Sequence, residues 1–189
     1  MTAMQSSVAE LFHDWQNFYL LVGTASATLV GLMFVAASIG ASVFSEANRN
    51  GLQAFISPTV VHFASALFVC IIVTIPSQTW LTLGVLLTVG GAVGLAYAGR
   101  VWVQMFVRRS FSVDWIDRFF YAMFPVVGYL LVFAAGVMLL LRTPWSSDVA
   151  AAALVTLLFA GIRNAWDMTT WIMMRLPTSV PPPSQPPPP

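Results

Sequence analysis

The chain has 189 residues, of which 58% are hydrophobic and 8% charged, with a formal net charge of +1. Soluble domains carry roughly 25% charged residues, so this balance cannot solvate a globular surface and points to an integral membrane protein. The near-zero charge gives no footing for nucleic acid, and the lone Cys70, inside an apolar run, excludes a disulfide framework or a cysteine metal cluster.

Residues 1–7 are small and polar. Ser7 followed by Glu10 fits a capping box, which predicts a helix start near Val8. Phe12, Trp15, Phe18 and Tyr19 come next at helical spacing, an aromatic collar for a chain entering a membrane. No charged residue lies between Asp14 and Glu46. A hydrocarbon core of ~30 Å needs ~20 apolar helical residues, so residues 18–44 read as span one. The arginine-free flank and the length of the run argue against a cleaved secretory signal. Gly23, Ala27 and Gly31 recur on one side of this span, where small residues let another helix approach closely, and span one is expected to be the packing hub.

Between Arg49 and Arg100 lie fifty residues without formal charge. One continuous helix of that length would reach about 75 Å, more than twice the hydrocarbon thickness, so the stretch must turn back. Pro76-Ser77-Gln78-Thr79 is the breaker near its middle, giving span two at 55–75 and span three at 80–107. Pro58 then falls in the first turn of span two, where its missing N–H costs little. Arg108, Arg109, Asp114, Asp117 and Arg118 form a polar loop with Trp115 as an interface anchor. Span four covers 119–141, with a kink expected at Pro125.

Arg142 to Ser147 make the next loop, and span five covers 149–174. Only 149–162 of it is free of charge, so its second half either completes the crossing or lies along the interface. Residues 1–176 thus form a single transmembrane domain. The proline-rich tail, 177–189, reads as a disordered, extended polyproline II segment.

Five spans place the termini on opposite sides. Arg49, Arg108, Arg109, Arg118 and Arg175 fall on one side and Arg142 alone on the other. The positive-inside rule then puts the N-terminus outside and the C-terminus in the cytoplasm. Every loop is short, so whatever the protein does takes place within the bilayer or at its faces.

Further small-residue stripes predict helix contacts: Gly90 and Gly94 in span three, Gly128 and Gly136 in span four. The sharper signals are ionisable residues inside the spans, which cost at least ~2.5 kcal/mol each and tend to be paired or functional. His62, Arg100, Arg163 and Asp167 are these candidates, and depth counting brings His62, Arg100 and Asp167 to a similar level, about 10–12 Å in from the cytoplasmic side. Arg163 and Asp167 are i,i+4 neighbours on one face. Two readings of the layer stand side by side. In one, it lines a hydrated cavity with His62 titrating and the arginines facing an anion or carboxylate. In the other, Asp167 pairs with an arginine, the arginines snorkel to headgroups and His62 makes one interhelical hydrogen bond.

No zinc pair, nucleophile elbow, phosphate loop or paired intramembrane aspartates are present, so no catalytic residue, metal or cofactor is assigned. The opening motif His13-Asp14-Trp15-x-x-Phe18-Tyr19, leading into Gly23-Thr24-Ala25-x-Ala27-Thr28-x-x-Gly31-Leu32-x-Phe34-Val35, resembles the first span of small multi-pass bacterial membrane proteins of unknown function. The resemblance covers residues 11–40 and, in layout only, the later spans. It implies a bacterial inner-membrane bundle and no activity. The expectation is an all-α, five-span bundle in the inner membrane, self-associating or bound to a larger membrane partner. Its expected role is that of a non-enzymatic interaction or regulatory subunit. A small transporter or channel with a cytoplasm-facing polar site is the alternative.

Overall fold

The computed structural model describes residues 8–43, 46–76, 78–107 and 115–175. Within them every regular element is a helix: α1 (Val8–His13), α2 (Gln16–Val43), α3 (Glu46–Thr74), α4 (Trp80–Val107), α5 (Trp115–Leu140) and α6 (Ser146–Arg175). Four stretches are long and apolar enough to cross a membrane: Gln16–Ile39, Trp80–Val103, Met123–Leu140 and Ser146–Asp167. In α3 the apolar stretch is shorter, Pro58–Thr74. The proline-rich tail and the loop carrying Arg108, Arg109 and Asp114 lie outside the described residues.

Local chemistry sets the turns. After Pro76, the Thr79 side chain accepts the Thr82 backbone N–H at 3.0 Å and caps α4. At the end of α5, Thr143 N–H bonds to Met138 O and Arg142 N–H to Leu139 O, both at 2.9 Å, the paired closure of a Schellman motif. Arg142 sits at the left-handed position of that motif, with φ 54°, where glycine is the usual residue. A Cβ there costs ~1 kcal/mol or more. Arg142→Gly is therefore expected to stabilise the bundle by about 0.5–1 kcal/mol in reversible unfolding. A loss of stability would show that the arginine side chain itself holds the turn.

The helices pack as an antiparallel succession. Gly84 meets Leu140, Gly91 meets Phe133 and Gly94 meets Tyr129, so α4 and α5 run in opposite directions along the most extensive interface of the bundle. Next comes α6, seated on α5 through Gly128 and Leu157 and on α3 through Gly161 and Phe63. On the far side α2 packs against α3, with Gly23 close to Cys70. Between α3 and α4 there is little contact.

Three sequence expectations are corrected here. Instead of α2, the hub is α6, which touches α5, α3 and α2. In its most apolar stretch 44% of residues are buried, against 22% in α2. The physical reason is composition: Ala150, Ala151, Ala153 and Ala160 let α6 sit among three neighbours, while Leu21, Leu32 and Phe34 of α2 face outward. Pro58 lies inside α3 rather than in its first turn, because the helix starts at Glu46. The aromatic collar is also only half a collar. Phe12 and Tyr19 turn into the core, with ring centroids 5.7 Å apart, and leave Trp15 and Phe18 half-buried beside them.

Candidate functional site

Counted at 1.5 Å per residue, Arg100 lies ~30 Å along α4 from Trp80, and Arg163 and Asp167 lie ~26 Å and ~32 Å along α6 from Ser146. One hydrocarbon thickness is ~30 Å, so these three stand at the membrane edge opposite the Thr79 and Arg142 turns, beside Trp102 and Trp166. They are not drawn inward. Arg163 Nε holds Asp167 Oδ2 at 3.0 Å and Oδ1 at 3.2 Å, with the side chains 49% and 38% exposed. Arg100 is exposed and borders a shallow groove with Ala96, Gly99 and Val103.

His62 does something different. It is 2% exposed, and its Nδ1 lies 3.0 Å from the hydroxyl of Tyr129 on α5. Ser65, one turn further along α3, places its hydroxyl 3.1 Å from the same Tyr129 oxygen. The expected four-residue polar layer is therefore corrected to two separate features. One is an outward ion pair near a membrane edge. The other is a buried imidazole–hydroxyl chain joining α3 to α5. Helix periodicity explains the split: Arg163 and Asp167 share a face of α6 directed away from α3, while His62 and Ser65 share the face of α3 directed at α5.

The chain sits deep. Ser65 is ~14 Å from the Thr74 end of α3 and Tyr129 ~17 Å from the Leu140 end of α5, which is about the middle of a ~30 Å core. At that depth each polar group needs a partner, and the three supply one another. Gly94 makes the arrangement possible, since a Cβ on residue 94 would collide with the Tyr129 ring.

The other glycine and alanine candidates divide by the helix they face. Gly128 receives Leu157, Gly136 lies against Thr88 backbone, and Gly23 is 3.2 Å from Cys70 when a Cβ is placed on it. Gly31 and Gly90 have nothing within 4 Å of that position, and Ala27 is exposed. The first three are contacts inside the bundle. The last three lie on uncovered faces.

Beside the imidazole–hydroxyl chain a cleft of about 580 Å³ opens sideways between α3 and α4. Phe68, Gly90 and Val93 are exposed residues of its lining, with Ser65, Tyr97 and Tyr129 contributing the hydroxyls. Sequence reading missed Tyr129, Tyr97 and Ser65, because hydroxyls in an apolar run carry no charge signal. The i,i+3 spacing of His62 and Ser65 was the available clue. Among the described residues no three His, Cys, Asp or Glu side chains gather in a metal-binding group. Set against known protein families, characterised proteins and solved structures, the chain has no significant match in any of the three.

Proposed function

We propose that the protein is a non-enzymatic interaction or regulatory subunit of a bacterial inner membrane, with five crossings, the N-terminus outside and the C-terminus cytoplasmic. The fifth crossing in this reading is α3, whose apolar stretch Pro58–Thr74 packs between α2 and α6. Arginine placement supports the orientation, with five on the C-terminal side against one. The observation that carries the interaction role is the uncovered small-residue face of α2. Ala27 and Gly31 are exposed, and nothing lies within 4 Å of a Cβ at Gly31. Small residues turned to lipid gain nothing from lipid, but they let a second helix come close.

Gly31→Leu tests this reading, since the side chain has room in the monomer and blocks only what docks from outside. The variant is expected to keep its helix content and thermal transition while its assembly size in mild detergent or nanodiscs falls. An unchanged assembly, or a wild type that is monomeric and alone, removes the support. The imidazole–hydroxyl chain favours a second reading, a small transporter or channel. Proton or anion flux in proteoliposomes, lost in His62→Gln, would promote it over the first.

A further inference from the structure

We propose that the groove beside Arg100 on α4 binds the headgroup of an anionic phospholipid, with the guanidinium on the phosphate. Arg100 is exposed, and among the described residues it makes no hydrogen bond or ion pair. No acidic residue occurs along α4 to neutralise it. Arg163 on α6 is in the opposite state, since its Nε already holds both carboxylate oxygens of Asp167. An unmatched cation at or beside hydrocarbon is costly, so Arg100 calls for an anion from outside the fold.

Depth selects which anion. Counted at 1.5 Å per residue, the groove from Ala96 to Val103 lies ~24–35 Å along α4 from Trp80. The hydrocarbon core is ~30 Å thick and the bilayer with its headgroups ~40–45 Å, so the groove straddles the level where glycerol esters give way to phosphates. The arginine fork matches two phosphate oxygens at once. Room for the headgroup comes from Ala96 and Gly99, and nothing lies within 4 Å of a Cβ at Gly99. Charge then separates the lipid classes. A zwitterionic headgroup brings an ammonium that the guanidinium repels and that finds no carboxylate on α4. Phosphatidylglycerol brings only hydroxyls beside its phosphate. The inference rests on α4 spanning the bilayer and not on the interaction role proposed above.

Full-length protein is equilibrated in detergent with equimolar phosphatidylglycerol and phosphatidylethanolamine, and the lipids it retains are weighed by native mass spectrometry. Wild type is expected to favour phosphatidylglycerol by about fivefold, the attraction of one arginine for an anionic headgroup. Arg100→Gln is expected to lose that preference. So is Gly99→Leu, which keeps the charge and fills the groove without disturbing the fold. Circular dichroism and elution volume are expected to stay unchanged in both. Arg163→Gln removes the same charge from α6 and is expected to keep the preference. Equal retention of the two lipids by wild type overturns the proposal and leaves Arg100 for the carboxylate of a partner protein. An equal fall in Arg100→Gln and Arg163→Gln overturns the location in favour of net charge. An unchanged ratio in Gly99→Leu overturns the groove. Displacement of the lipid by inorganic phosphate overturns the headgroup assignment in favour of a free anion.

Discussion

Gly91→Ala is expected to destabilise the bundle by about 2–3 kcal/mol, while Gly90→Ala, one residue away, is expected to be neutral or to stabilise it by about 0.5–1 kcal/mol. The difference is one of facing. A Cβ on Gly91 would lie 2.5 Å from the backbone nitrogen of Phe133 and 2.6 Å from its Cα. Backbone cannot rotate out of the way, so α4 and α5 must separate along their largest interface. Attraction between helices in lipid comes from such close packing, and a separation of even a fraction of an ångström weakens many contacts together. Gly90 meets nothing within 4 Å, so alanine there only improves helix propensity. Reversible unfolding of both variants in the same detergent or bicelle measures the contrast. Equal effects at the two positions would mean that α4 is rotated relative to α5.

Tyr129→Phe is expected to cost about 2 kcal/mol, near the middle of the range for stranding buried polar partners. The phenol oxygen serves two groups at once, His62 at 3.0 Å and Ser65 at 3.1 Å. Its removal leaves both without a partner in a site that water reaches poorly. His62→Leu alone strands the Tyr129 hydroxyl only in part, because Ser65 remains. Once Tyr129 is phenylalanine, the further change His62→Leu is expected to be nearly free or favourable, since an apolar pair replaces an unsatisfied polar one. The double-mutant cycle should therefore show a coupling of about 1 kcal/mol or more. Additive losses would mean that the His62–Tyr129 bond is not formed in the membrane.

Helix boundaries were readable because lipid imposes a length rule and charge marks its ends. Residues 80–107, flanked by the Pro76 breaker and Arg108, coincide with α4 as the structure has it. Glu46, Arg49 and the Asn50-Gly51 pair have the composition of a turn, yet the chain is helical from Glu46 onward. Which face a helix turns inward was only partly legible. A glycine stripe announces that something can come close, not from which side. Gly94 and Gly136 meet α5 and α4, whereas Gly31 and Gly90 meet nothing.

The same limit applied to the polar residues. Charge drew the eye to Arg100, Arg163 and Asp167, whose side chains the structure leaves exposed or partly exposed. The buried polar centre is built from His62 and two uncharged groups, Ser65 and Tyr129, the latter more than sixty residues away in sequence. A hydroxyl becomes a site only through what the fold brings to it, and a single sequence does not carry that pairing.

The central claim is that the chain crosses the membrane five times with its arginine-rich side in the cytoplasm. Fusing a fluorescent protein that matures only in the cytoplasm to the C-terminus, in parallel with a phosphatase active only in the periplasm, tests it most directly. Bright cells with an inactive phosphatase are the predicted result. An active phosphatase at that position would mean an even number of crossings or the reverse orientation, and α3 would then have to lie against the bundle without spanning.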